Sequence, residues 1–397
     1  MRGDPYRWTV LAVGVTATIA YSALRMGLPA LSPELAARFD LDLSGVGVVL
    51  GSVALGQVLT TYAWGSLSDR RGERLVLSAG TIGAAVALAA GAFADSVAAI
   101  VALLLVAGML GASTVTGSGR AVLGWFPQRE RGMAIGVRQM AIPLGGALAA
   151  VLLPWLTGAT SLTAAFLVLA ALMLVAGVAS LVWMCEPPGT DGPARSDGPA
   201  PVRDARIWRL AAGAACLLAA QTSILSFLVL FLHDERAVAA TTAAGFLALL
   251  QVGGALGRLA AGRWSDRSGR RMPLILVIAG SSAVCFALSA LLAEGVPLEL
   301  TVAVLLAAGV LAMSWNGLSL NVSAEMSGRA QAGVALGLLT TVVAVAGAVM
   351  PPLFGLLVEA VGWPPSFAVL AAIQVVAVVH LRPLVDEEAA RLAAAAA

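Results

Sequence analysis

Gly65-Ser-Leu-Ser-Asp-Arg-Arg-Gly-Glu-Arg74 and Gly262-Arg-Trp-Ser-Asp-Arg-Ser-Gly-Arg-Arg271 are two versions of one polar loop, 197 residues apart. Six of the ten positions are identical: Gly65/Gly262, Ser68/Ser265, Asp69/Asp266, Arg70/Arg267, Gly72/Gly269 and Arg74/Arg271. In a chain of 397 residues this offset is half the length, so the chain reads as two related halves. The loop itself has the chemistry of a tight polar turn. Its glycines admit positive φ and close backbone approach, and its Asp and Arg can pair across neighbouring helix ends.

Outward from each loop the sequence is apolar. A helix needs about 20 mostly apolar residues to cross a bilayer. Such stretches fall at 8–30, 44–65, 75–93, 97–124, 132–156 and 161–184, and again at 207–232, 240–262, 273–293, 298–323, 330–358 and 363–383. The expectation is an all-α, polytopic membrane protein with twelve transmembrane helices in two pseudo-symmetric six-helix bundles. The bundles occupy residues 1–184 and 207–385, joined by a linker at 185–206 and followed by a tail at 386–397. The linker, CEPPGTDGPARSDGPAPVRDAR, is rich in Pro, Gly, Asp and Arg and carries no apolar period. Composition agrees: 59% of the residues are apolar and 12% charged, half the charge an average soluble domain carries. The first apolar run is too long for a cleaved leader and lacks a clear small-residue cleavage site.

Arginine sets the orientation, since the chain contains no lysine. With both termini in the cytoplasm, eighteen arginines fall on the inside and two, Arg38 and Arg236, on the outside, as expected for a multi-pass protein of the cell membrane. Eight of the nine tryptophans lie near predicted helix ends; Trp315 sits inside a span. A net charge of +2 leaves no basic field for nucleic acid. Cys185, Cys216 and Cys285 lie far apart, and His233 and His380 are the only histidines, so neither a metal site nor a disulfide framework is expected, and no cofactor is implied. Each half has a complete set of spans, so no partner chain is required and a monomer suffices.

The repeated loop and the six-plus-six count resemble the major facilitator superfamily, over essentially the whole chain. Gly119-Arg-Ala-Val-Leu-Gly-Trp-Phe-Pro-Gln-Arg-Glu-Arg-Gly132 is similar to the segment after the fourth helix in the bacterial organic-anion-transporter-like branch. The resemblance implies a secondary transporter, not an enzyme, with two domains rocking about a central cavity. Helices one, four, seven and ten would line that cavity. It also implies a gating role for Gly65, Asp69, Arg70, Gly72 and Arg74, and for Gly262, Asp266, Arg267, Gly269 and Arg271, beyond anchoring by positive charge. Two departures separate the chain from the drug/proton antiporters of the family. Val106-Ala-Gly-Met-Leu-Gly111 lacks that branch's Arg and Gln, and Ala141-Ile-Pro-Leu-Gly-Gly146 is one residue short of its Gly-Pro-x-x-Gly-Gly signature.

Charges inside a span are functional candidates because they are costly there. Arg25 lies roughly 9 Å outward of the middle of the first span, and Arg138 roughly 9 Å inward of the middle of the fifth. Arg25 can reach Glu34 or Asp42, whereas Arg138 has no acidic neighbour in its span. Arg120 and Arg258 lie nearer the cytoplasmic ends, where a snorkelling or helix-capping role suffices. None of the 22 Asp and Glu residues falls near the middle of a span. Arginine without a buried carboxylate suits an anionic ligand, whose carboxylate or phosphate fits the guanidinium fork.

Aligning Ala134-Ile-Gly136 with Ala335-Leu-Gly337, an offset of 201, sets Arg120 against Asn321 and Arg138 against Leu339, with Arg25 near Gln221-Thr222-Ser223. The buried charge therefore belongs to the first half. The candidate substrate-binding residues are Arg138, Arg25, Tyr21, Gln57 and Gln139 from the first half, and Gln221, Gln251, Trp315 and Asn316 from the second. For the polar residues, helix–helix hydrogen bonding is an equally good reading. The expected cargo is a small organic anion such as a carboxylate, moved through the lipid bilayer alone, in exchange for another anion or with a coupled ion. Efflux of drugs or hydrophobic metabolites by proton antiport is the alternative. Gly117-Ser-Gly119 follows no strand and is set aside as a nucleotide loop. Asn321-Val-Ser323 fits a glycosylation sequon but faces the cytoplasmic side, and the Ala-rich residues 389–397 read as a frayed helix.

Overall fold

The computed structural model describes residues 5–126, 130–185, 203–292, 296–327 and 332–396; linker residues 186–202 and the side chains of Asp69 and Arg120 lie outside the described residues. Among the described residues the chain is helical and without strands. The first six spans are α1 (Tyr6–Gly27), α2 (Leu43–Arg71), α3 (Glu73–Gly91), α4 (Val97–Gly111, then Ser113–Trp125), α5 (Arg131–Ala159) and α6 (Leu162–Trp183). The second six are α7 (Ala205–Leu230), α8 (Ala240–Ser268), α9 (Met272–Leu292), α10 (Leu298–Met313, then Asn316–Ser327), α11 (Ala332–Val361) and α12 (Trp363–Leu381). All twelve are long and apolar enough to cross a membrane.

Most boundaries match the hydropathy reading within a few residues, and the differences are local. The first span continues past α1 through a 3₁₀ turn, Leu28–Leu31, into a short helix, Ser32–Phe39. The π-helical stretch Phe231–Glu235 extends α7. After α12 the chain does not fray: a further helix, α13 (Pro383–Ala396), follows at once, and its Glu388 is buried.

The chain forms two compact units, one of Met1–Pro193 with Leu232–Ala248, the other of Ala194–Phe231 with Leu249–Ala397. In the first, α1 packs on α5, α4 and α6, α3 packs on α6 and α4, and α2 packs on α4. The second repeats this scheme, with α7 on α11, α10 and α12, and α9 on α12 and α10. Glycine makes the crossing of α2 and α4 close. A Cβ at Gly56 would stand 2.1 Å from Leu105 O, and one at Gly108 would stand 2.2 Å from Val53 O. The equivalent positions in the second unit are Gly253 and Gly309, where a Cβ would stand 2.6 Å from Val310 and 2.3 Å from Leu250. Lipid tails are as apolar as leucine, so helices in a membrane associate by such close contact, not by expelling water.

The fourth helix of each unit is interrupted at corresponding points. The chain turns at Ala112 in α4 and at Ser314–Trp315 in α10, and the offset of 201 superposes Ser113 on Ser314. An interruption frees backbone carbonyls that must find donors elsewhere. Met109 O accepts from Thr60 Oγ1 at 2.7 Å and Trp64 Nε1 at 2.6 Å, both on α2. Met313 O accepts from Arg258 Nε of α8 at 2.8 Å and from Asn316 Nδ2 at 3.1 Å.

One end of the second unit is closed by Phe227, Phe231, Phe354, Trp363 and Phe367, with neighbouring ring centroids 5.0 to 6.4 Å apart. Such tilted and edge-on pairs stabilise beyond their area burial.

Candidate functional site

The repeated loops follow α2 and α8. Gly72 and Gly269 both have positive φ, 79° and 66°, and their amides close the preceding helices on Ser68 O and Ser265 O at 3.1 and 2.9 Å. Glycine is used there for the left-handed conformation. Gly65 and Gly262 serve differently from the expectation of close approach. A Cβ at Gly65 would meet its nearest atom at 4.0 Å, and one at Gly262 would meet nothing within 4 Å.

The loop arginines do bind helix ends. Arg74 Nε donates to Leu181 O of α6 at 2.7 Å. Arg271 donates to Glu325 Oε1 of α10 at 2.7 Å, to Ser265 Oγ at 3.0 Å and to Asp266 Oδ1 at 3.5 Å. Arg391 of α13 reaches the other oxygen of Glu325 at 2.9 Å. Glu388 of α13 accepts from the amides of Arg271 and Met272 at 2.8 and 3.1 Å, capping α9. Outside the spans, Asp204 caps α7, and its hydrogen bonds with Arg206 hold its carboxyl below the ordinary carboxylate value. Arg70 and Arg267 are exposed.

Within the membrane spans, the first unit holds two polar clusters on adjoining turns of α1. In one, Gln57 Oε1 of α2 accepts from Tyr21 OH at 3.0 Å and from Arg25 NH1 at 3.2 Å. The Tyr21 ring lies against α4, where a Cβ at Gly111 would come within 2.4 Å of it. The carboxylates that sequence offered to Arg25 are engaged elsewhere. Glu34 accepts from Thr157 Oγ1 at 3.0 Å, and Asp42 caps α2 through Gly45 N at 2.7 Å and Ser44 Oγ at 2.9 Å.

The second cluster centres on Arg138 of α5. Its Nε donates to Ser118 Oγ at 2.7 Å, NH2 to Val115 O at 2.9 Å and NH1 to Gln139 Oε1 at 3.3 Å. Ser118 Oγ in turn lies 3.5 Å from Thr18 Oγ1 of α1. The guanidinium rests on α4 beside Gly119, where a Cβ would stand 3.7 Å from it. Ser118 and Gly119 are thus the surface on which Arg138 docks, while Gly117 faces Leu77 of α3. Ser118 and Thr18 were not among the expected site residues. Their signal in sequence is only that hydroxyls stand on helices one and four, where helix backbone carbonyls ordinarily satisfy them.

In the second unit, Asn316 Nδ2, just past the interruption of α10, donates to Gln221 Oε1 of α7 at 3.1 Å. Gln251 is fully buried on α8. Trp315 is 2% exposed and packs in the apolar core with Leu217, Ile278 and Leu339, its Nε1 without a partner. Arg258 is taken up by the carbonyl of Met313, as a capping role requires.

The sequence profile of the Major Facilitator Superfamily matches residues 13–342 and 210–397. An MFS-type transporter of Mycobacterium tuberculosis (strain ATCC 25618 / H37Rv) is 34% identical over 394 residues, covering 97% of this chain and 88% of the relative. A probable sulfoacetate transporter of Cupriavidus necator is 25% identical over 364 residues, 85% of this chain and 84% of the relative. Among solved structures, a bacterial homologue of the human lysosomal transporter Spinster matches with a TM-score of 0.82 at 18% identity, covering 97% of this chain and 98% of that one. With the repeated loop, the repeated helix pairing and the paired interruptions of α4 and α10, these matches mean that the chain belongs to the Major Facilitator Superfamily and is a multi-pass membrane transporter.

Proposed function

We propose that this transporter carries a small organic anion, with the acid group seated on the first unit at Arg138 and Arg25. The observation that carries the reading is the company Arg138 keeps. A guanidinium within a membrane span has a serine hydroxyl, a backbone carbonyl and a glutamine amide as its hydrogen-bond partners, and none of these neutralises it. Such a charge is costly unless an anion arrives to balance it. Arg25 is in the same position, with Gln57 as its partner. The relation to a probable sulfoacetate transporter supports the same class of cargo. The loop motifs act as the gate, weighting one conformation against another through the ends of α6, α9 and α10. Both termini face the cytoplasm, and the transporter works as a monomer, by uniport, exchange or ion coupling.

Uptake of radiolabelled carboxylates and sulfonates into proteoliposomes tests the reading. Arg138→Ala should abolish uptake, and Arg138→Lys should restore little of it, since an ammonium lacks the planar fork. Full transport of acids by Arg138→Ala, or efflux of uncharged dyes that acids do not inhibit, would end the anion proposal in favour of a drug exporter.

A further inference from the structure

The two arginines also set the direction of the two glutamines beside them, and from this we infer that the first unit presents a donor-only face that selects ligands whose head group carries acceptors alone. The inference rests on the anion reading above and narrows it to fully ionised head groups such as carboxylate and sulfonate. Gln57 and Gln139 become specificity-determining residues.

A glutamine amide has one end that accepts and one that donates, and its neighbours decide which way it points. At Gln57 the choice is forced by Arg25, which can only donate, and Tyr21 is compatible with it. Tyr21 OH and Arg25 NH1 both donate to Oε1, and the reversed amide would set N–H against the N–H of a guanidinium. At Gln139, Oε1 accepts from Arg138 NH1. In both residues the carbonyl end is consumed by arginine and the NH2 end is left over. Neither Nε2 donates to any group among the described residues, and neither is sealed from solvent.

The remaining polar atoms complete the face. Arginine has five N–H groups and no acceptor. Arg138 commits three of them and Arg25 one, so both keep donors. The acceptors close by are out of reach: Thr18, Tyr21 and Ser118 are each 5% exposed or less. The clusters are linked by α1, where Thr18 and Arg25 are about 10 Å apart along the helix at 1.5 Å per residue. The second unit differs. There the amide of Asn316 donates to Gln221 Oε1 and Met313 O, leaving Asn316 Oδ1 as an acceptor and Gln221 Nε2 as a donor. Among the described residues, the donor-only arrangement belongs to the unit that holds Arg25 and Arg138.

A head group with lone pairs on every atom, and no hydrogen to offer, satisfies such a face. An ammonium group would set donor against donor, and a hydroxyl would accept but leave its own hydrogen without an acceptor. The test is ligand-dependent thermal stabilisation of the purified full-length transporter by sulfoacetate and by a hexuronate, with the neutral hexose as control. The wild-type protein should be stabilised by the acids and not by the hexose. Gln57→Glu and Gln139→Glu replace the donor end with an acceptor and should raise the Kd for the acids at least tenfold, about the worth of one hydrogen bond to a charged group. Gln57→Met and Gln139→Met keep the side chain's shape, remove the donor and should raise Kd about tenfold, less than the Glu variants, which add repulsion; they carry the test where a Glu variant does not fold. If all four variants bind the acids as tightly as wild type while Arg138→Ala does not, the donor-only face is wrong and the anion reading stands. If Arg138→Ala also binds normally, or no acid stabilises the wild type, the anion reading falls with it.

Discussion

Arg138 and Arg258 look alike in sequence, each a lone arginine in an apolar helix, yet the structure separates them. Arg258 bonds the carbonyl freed where α10 is interrupted, so its charge serves the fold. Arg258→Ala leaves Met313 O with Asn316 as its remaining donor and should lower stability by roughly 1–3 kcal/mol, the cost of an unmet buried polar group. It should leave the apparent affinity for substrate unchanged. Thermal unfolding in detergent beside an uptake KM separates the two effects. A raised KM at unchanged stability would place Arg258 in the binding site instead. Sequence distance alone left Arg25 a choice between a carboxylate, Glu34 or Asp42 on the same stretch, and a ligand. The folded chain offers Gln57 of α2 first, while Glu34 Oε1 takes a hydroxyl and Asp42 a helix N-terminus. Which acceptor an arginine finds depends on helix rotation, and hydropathy contains no information about rotation within a uniformly apolar span.

At the scale of elements, every span was legible because the length of an apolar run is itself the signal. The interruptions of α4 and α10 were not. Gly111-Ala-Ser113 and Met313-Ser-Trp315 contain no proline, and each lies inside a span that reads as a single membrane-crossing helix by hydropathy. A helix can break there because donors on the neighbouring helix, Thr60 and Trp64 or Arg258, meet the freed carbonyls. The same neighbours are brought close by glycine, which leads to a graded prediction. Gly56→Ala and Gly108→Ala each force a methyl against a backbone oxygen, which cannot move aside, and should cost about 3 kcal/mol or more, on the order of the largest overpacking penalties. Gly309→Ala meets the end of a leucine side chain and should cost about 1–3 kcal/mol. Gly262→Ala meets nothing and should be neutral to stability within roughly 0.5 kcal/mol. Melting temperatures of the four purified variants test this order. Equal losses at Gly262 and Gly108 would mean that the helices cross with room to spare.

For the whole molecule, the distribution of arginine makes a claim about sidedness that labelling can check. Arg270 is exposed between α8 and α9 and Asp95 between α3 and α4; that distribution assigns the first to the inside face and the second to the outside. In a background free of Cys185, Cys216 and Cys285, Asp95→Cys should react with a membrane-impermeant maleimide on intact cells. Arg270→Cys should react only after permeabilisation. The reverse pattern would invert the topology.

Sequence by itself determined the class, the number of spans and the twofold repeat. These follow from how much apolar chain a bilayer demands and from a loop that tolerates little variation at its left-handed glycines. Tertiary structure alone decided which polar groups meet: that Trp315 turns into an apolar core, that Arg138 lies on Ser118 and Gly119, and that two glutamines show their donor ends. Such meetings depend on rotation and crossing of helices, set by the backbone approach at Gly56, Gly108 and their counterparts, and those contacts are made between residues roughly fifty positions apart.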